Sequence, residues 1–184
     1  MTPVIEEILG RSSESRLQAP APDQVTLDEA LACAARAPDH ALLRPWRYLV
    51  IEGDGLYQLG ELFASTCGPD ASGKEKEKLL KAPLRAPMII IGIVCHHSHP
   101  KVPAREQEMS AAVGMGYILL ALQSLGFGGM WRTGAMASHP VVAEGLGLGS
   151  HEAITGFLYV GTVSESRASV PRPELASFVR RWPG

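Results

Sequence analysis

AREQEMSAAVGMGYILLALQSL at positions 104–125 runs directly into GFGGMWRTG at 126–134. Met109, Ala112, Val113, Met115, Ile118, Leu119, Leu120 and Leu122 leave the first stretch apolar nearly all round after its opening turns. That pattern predicts one long helix, Ala104 to Leu125, buried either in the core or against a second copy of the chain. Gly126, Gly128 and Gly129 end it and lead into a short strand through Met130 and Trp131 that reaches Thr133 and Gly134. The glycines follow a helix rather than a strand, and no acidic residue stands about 20 positions later in a strand–helix–strand unit, so this is not a dinucleotide fingerprint.

Upstream, PMIIIGIVC at 87–95 contains the isoleucine-rich run Met88 to Val94, expected of a strand covered on both faces. Tyr48 to Ile51, closed by Gly53, reads as a second strand, and both are expected in the interior of a sheet. Tyr57 to Ser65, Glu75 to Leu80 and Val141 to Leu146 read as helices, Ile154 to Gly161 as a final strand, and the remainder as a proline-spaced tail. Near the start, Val4, Ile5, Ile8 and Leu9 stand at helical spacing before Gly10. Thr26 with Glu29 three residues on suggests a capping box opening a second helix that must stop before Pro38. Helices and strands mix without regular βαβ alternation. The expectation is therefore an α+β fold over one domain, 1–184, with a mainly antiparallel central sheet flanked by helices.

The chain has 184 residues, 46% hydrophobic and 20% charged, enough for a packed core without disulfides or a structural metal. Lys plus Arg number 17 against 19 acidic residues, a net charge of -2 that supplies no global field for nucleic acid or an anionic membrane. Any phosphate must be held locally. Cys33, Cys67 and Cys95 are widely spaced, as expected of reduced thiols. No apolar run approaches the roughly 20 residues a bilayer requires, and the first residues carry Glu6 and Glu7 rather than a secretory pattern. A soluble, cytoplasmic protein is expected.

Three constellations could carry chemistry. Arg11, Ser12 and Ser13, directly after the first helix, offer a charged fork and two hydroxyls suited to a phosphomonoester. Arg36 and His40 project from the loop Arg36-Ala37-Pro38-Asp39-His40, which leads to Arg44-Pro45-Trp46 before a core strand. Glycines around Trp131, Arg132 and Thr133 allow a planar ligand close to the backbone, where the amides of Thr133 and Gly134 could donate. His96, His97 and His99 lack the neighbours that complete a metal set. No Gly-x-Ser-x-Gly elbow supports hydrolase chemistry.

Taken in order with Lys101-Val102-Pro103 and Glu106-Gln107-Glu108-Met109-Ser110-Ala111, these stretches resemble the nitroreductase family, in particular its short, single-domain bacterial NAD(P)H nitroreductases. The resemblance spans Pro3 to Thr162. It implies an antiparallel sheet flanked by helices, a homodimer, and FMN in each of two interface clefts, with NADH or NADPH as reductant and a small-molecule electron acceptor. Residue by residue, Arg11, Ser12 and Ser13 match the arm for the phosphate and ribityl chain. Arg36 and His40 match the loop along the flavin, and Trp131, Arg132 and Thr133 match the strand edge beside it. No side chain is implied as a catalytic acid, base or nucleophile. Leu42 and Arg44 stand where most of the family has Asn and Gln, and Arg167 and Arg172 are the available C-terminal bases for the phosphate. The same resemblance accommodates a flavin-storage module or a flavin-modifying or dehalogenating enzyme.

Overall fold

The structure, a computed structural model, describes residues 2–165 and 171–183. Five strands, β1 (Leu17–Gln18), β2 (Trp46–Glu52), β3 (Met88–Cys95), β4 (Gly128–Arg132) and β5 (Glu152–Val163), form one wholly antiparallel sheet. Seven α-helices surround it: α1 (Pro3–Gly10), α2 (Gln24–Ala34), α3 (Asp54–Ser65), α4 (Gly73–Lys81), α5 (Ala104–Ser124), α6 (Ala135–Ser138) and α7 (Pro140–Gly145). None of the described helices is long and apolar enough to cross a membrane.

Strand order explains the isoleucine run. β3 lies between β2 and β5, pairing Ile91 with both Leu49 and Phe157, so each of its faces must be covered. Met88 and Ile90 point to one side with Leu158 and Val160, where α2 and α5 supply Leu27, Ala30, Ala34, Met115, Ile118 and Leu122. Ile89, Ile91 and Ile93 point to the other with Phe157 and Tyr159, under Leu56, Leu59 and Phe63 of α3 and Val142 of α7. The period-2 alternation of a strand thus feeds two cores. Each isoleucine of the run is fully buried, a contribution of about 1.5–3 kcal/mol apiece.

Two expectations are corrected. β2 is an edge strand, not an interior one: it pairs with β3 alone, and Val50 is 39% exposed. Helix α2 starts at Gln24, where the Asp23 carboxylate accepts from the Thr26 amide at 2.9 Å. The ionised side chain wins the cap, and Thr26 lies inside the first turn. The capping box instead opens α4, where Ser72 and Glu75 bond reciprocally. In the single chain helix α5 presents two different faces. Ala111, Met115, Ile118 and Leu122 form its inner stripe, while Met109 (51%) and Val113 (37%) lie on an outer face exposed in the single chain.

Candidate functional site

Helix α1 stops at Gly10, and the chain continues as an extended arm. Two contacts fix that arm at the C-terminal end of α5. Gln123 Nε2 donates to the Glu7 carbonyl (2.9 Å) and to its carboxylate (3.0 Å), and the Glu14 amide donates to the Gly129 carbonyl at 3.0 Å. Arg172 supplies a third: its Nη2 donates to the carbonyls of Leu9 (3.0 Å) and Arg11 (2.7 Å), bringing a C-terminal guanidinium to the arm. Arg167 lies outside the described residues. Arg11, Ser12 and Ser13 are all partly exposed. Ser12 turns its hydroxyl to the Glu14 carboxylate in a short hydrogen bond and shares a cleft of about 410 Å³ with Glu14, Gln123, Phe127 and the glycines 126, 128 and 129.

Strand β4 begins at Gly128 and ends at Arg132, two residues earlier at each end than the glycine pattern predicts. Its one partner strand among the described residues is β5, from Gly128 opposite Gly161 to Arg132 opposite Phe157. The other edge is open except where the arm crosses it. In an antiparallel strand the amide and carbonyl of one residue face the same way, and the direction alternates. Since the Gly129 carbonyl faces the arm, the backbone of Trp131 faces the same open edge. The side chains diverge. Trp131 packs on the α2/α5 side, where its indole occupies space that a Cβ at Gly156 would fill at 2.1 Å, and its Nε1 lies 3.4 Å from the Thr155 carbonyl. Arg132 stacks over the Tyr159 ring at 5.4 Å on the opposite side, with its Nε buried and unpaired among the described residues. A ligand at this edge would therefore meet backbone, not the Arg132 guanidinium.

The loop after α2 is held against the other end of α5. Ser110 Oγ donates to the Pro38 carbonyl at 2.7 Å, His40 Nδ1 lies 2.8 Å from Glu106 Oε2, and Asp39 Oδ2 accepts from the Arg44 amide at 2.7 Å. Ala41, Leu42 and Arg44 adopt φ of 63°, 55° and 48°. Three non-glycine residues in the left-handed region within four positions are costly, and such strain concentrates at binding sites. The guanidinium of Arg36 is exposed.

The sequence candidates thus fall into two groups rather than one. Arm and strand edge meet at the C-terminal end of α5, whereas Arg36 and His40 sit towards its N-terminal end. Glu106 and Gln123, which anchor the two groups, are separated by about 25 Å along the helix axis. Sequence reasoning gave no individual role to Glu14 or Glu106. The signals available were a lone carboxylate inside an Arg/Ser arm and an acidic first turn on α5.

Away from these groups, Arg47 makes two hydrogen bonds to Glu152 (2.6 and 2.7 Å), and Cys95 Sγ lies 3.3 Å from the same carboxylate. The guanidinium bonds hold the Glu152 carboxyl down at about 2. Burial first, and then the Glu152 charge, push the Cys95 thiol up to about 11. His96 lies 3.3 Å from Glu108, and the His97 amide donates to Gln107. Burial also raises Tyr48, whose hydroxyl has no partner among the described residues, to about 12. These groups tie the far end of the sheet together.

The class of fold is thus α+β: a five-stranded antiparallel sheet between helical layers, with a cationic arm laid across an open glycine-rich strand edge. The chain belongs to the nitroreductase family: that family's model, described as "Nitroreductase family", matches residues 8–162. It is 39% identical over 180 residues to "Putative NAD(P)H nitroreductase YdjA" of Escherichia coli strain K12, covering 95% of this chain and 97% of the other. Among solved structures it shares its fold with a nitroreductase-like family protein from Bacillus cereus, at TM-score 0.90 and 22% identity over 100% of this chain and 98% of that one. A Desulfovibrio desulfuricans structure described as "a putative nitroreductase in complex with fmn" aligns at TM-score 0.79 and 19% identity, covering 100% of this chain and 99% of that one.

Proposed function

We propose that the protein is an FMN-dependent NAD(P)H oxidoreductase of one domain, acting as a homodimer on a nitroaromatic, quinone-like or other small oxidised acceptor. The observation that carries this is the Glu14–Gly129 hydrogen bond. It lays a guanidinium and hydroxyl arm beside the open backbone edge at Trp131, so that a phosphate and a planar ring can be held by neighbouring parts of one surface.

The residues present suit FMN. Arg11 offers the phosphate a charge-assisted fork, and Arg172 fixes the two carbonyls that flank it in the chain. The open Trp131 backbone would meet the polar edge of the ring, exposed Arg36 is the loop cation available to a ligand, and His40 is positioned by Glu106. When bound, FMN would supply hydride-transfer chemistry between a nicotinamide and a small oxidised acceptor. The chain's part is to bind, orient and stabilise negative charge, for which a cation in a low-dielectric cleft is effective.

The dimer follows from the separation along α5. With arm and loop anchored towards opposite ends of that helix, each site is assigned the arm of one copy and the loop of the other. The surface available for that copy is apolar. Helix α1 exposes Val4, Ile5, Ile8 and Leu9, and a groove of about 460 Å³ beside it is lined by Val4, Ile8, Cys33, Tyr117, Leu120 and Ala121. Exposed apolar area of this kind marks an interface. The test is the visible spectrum of the purified protein before and after anaerobic NADH or NADPH. A yellow protein that bleaches with either nicotinamide is expected, and a colourless protein that takes up no added FMN overturns the proposal.

A further inference from the structure

Glu14 is the one acidic side chain of the arm and is only 9% exposed. Its Oε1 accepts from the Ser12 hydroxyl, while Oε2 is buried with no partner among the described residues. A carboxylate can only accept, and a buried one left half-satisfied is costly. The side chains lining its cleft cannot help. The single proton of Ser12 is already given to Oε1, the Gln123 amide donates to Glu7, and Leu119, Phe127 and Val163 are apolar. The backbone amide of Glu14 is spent on Gly129. Among the described residues no donor is left for Oε2, and the cleft that Glu14 lines is where a bound molecule can bring one.

We propose that Glu14 Oε2 accepts a hydrogen bond from a hydroxyl of the flavin's ribityl chain, which makes Glu14 a specificity-determining residue for flavins that carry that chain. The inference rests on the FMN assignment above. Order along the structure supports it. Arg11, assigned the phosphate, precedes Glu14 by three residues. Glu14 crosses the strand edge at Gly129, and the ring position at Trp131 lies two residues beyond that crossing. FMN has the same order: phosphate, polyol, ring. A phosphate oxygen is excluded from Oε2 by like charge, whereas a polyol hydroxyl brings a donor and no charge. Its hydrogen bond to a carboxylate is of the stronger, charge-assisted kind.

The experiment compares the binding of FMN, riboflavin and lumiflavin, which lacks the ribityl chain, to flavin-free full-length protein by fluorescence. Ratios within one protein cancel any difference in folded fraction. Wild type should favour riboflavin over lumiflavin. Glu14→Gln, of nearly the same shape, should lower that ratio about tenfold, the equivalent of one charge-assisted bond weakened to a neutral one, and should leave the FMN to riboflavin ratio unchanged. Arg11→Ala should do the reverse. An unchanged riboflavin to lumiflavin ratio in Glu14→Gln overturns the inference, as does a gain in FMN affinity alone, which would make Glu14 a repeller of phosphate. If Arg11→Ala leaves the FMN to riboflavin ratio untouched, it is the placement of FMN on the arm that fails.

Discussion

Mixing two defective variants should regenerate intact sites. Arm and loop lie at opposite ends of α5, a helix of 21 residues and therefore about 31 Å long. If every site combines the arm of one chain with the loop of the other, Arg11→Ala homodimers carry a damaged arm at both sites. Arg36→Glu homodimers, with an anion set beside the electron-rich ring, carry a damaged loop at both. Each defect removes a charge-assisted contact or adds a like charge, about 1.5–3 kcal/mol, or roughly 10- to 100-fold in affinity. A heterodimer with two-fold symmetric geometry has one doubly damaged site and one with neither defect. After equal mixing and random exchange of subunits, about half of the dimers are mixed, so about a quarter of all sites should bind FMN as wild type does. The assay is a flavin-quenching titration of the exchanged mixture against the unmixed variants, resolved into tight and weak classes. If arm and loop served one site within a single chain, every site would keep one defect, and no tight class would form. Its absence after exchange has been verified with tagged subunits would refute the argument from helix length.

Two further outcomes follow from the same structure. Leu120→Glu on the outer stripe of α5 should shift the protein from dimer to monomer in sedimentation and lose FMN with it; a stable dimer would move the interface elsewhere. Glu152, held at about 2 by Arg47 against an ordinary value near 4.5, adds stability that is complete above pH 4.5 and disappears as pH falls towards 2. After allowance for the partly exposed Arg47 this amounts to about 1–2 kcal/mol, so melting temperature should fall less steeply through that window in Glu152→Gln than in wild type.

What could be read from the sequence was set by local physics. Met88 to Val94 announced a doubly covered strand because a β-branched run with no polar member has no solvent face to offer. The apolar stripes on α1 and α5 were legible as helices, but which of them stay exposed in the single chain was not, since an apolar stripe reads the same whether or not the core covers it. The cap of α2 was misplaced because Asp23 and Thr26 both qualify and only the backbone chooses. The left-handed Ala41, Leu42 and Arg44 carried no glycine to betray them. Strand β1, with two residues, is too short for a pattern. Arg11, Arg36 and Trp131 could be named as candidates, but the distance between arm and loop depends on the length and direction of α5 between them.

That helix does three jobs at once, and they constrain each other. Its inner stripe closes the core over Ile90 and Leu158, so the phase of Met115, Ile118 and Leu122 is fixed by packing. A fixed phase also fixes the opposite stripe, Met109, Val113 and Leu120, which can be satisfied only from outside the chain. Glu106 near one end and Gln123 near the other then hold the loop and the first helix through His40 and Glu7. A one-residue insertion in the middle of α5 would rotate one end against the other by about 100°. It would break the core, the outer stripe and the spacing of loop to arm together. The separation of the two half-sites is therefore built into the same residues that stabilise the fold, and a second copy of the chain is the simplest structure that satisfies all three demands.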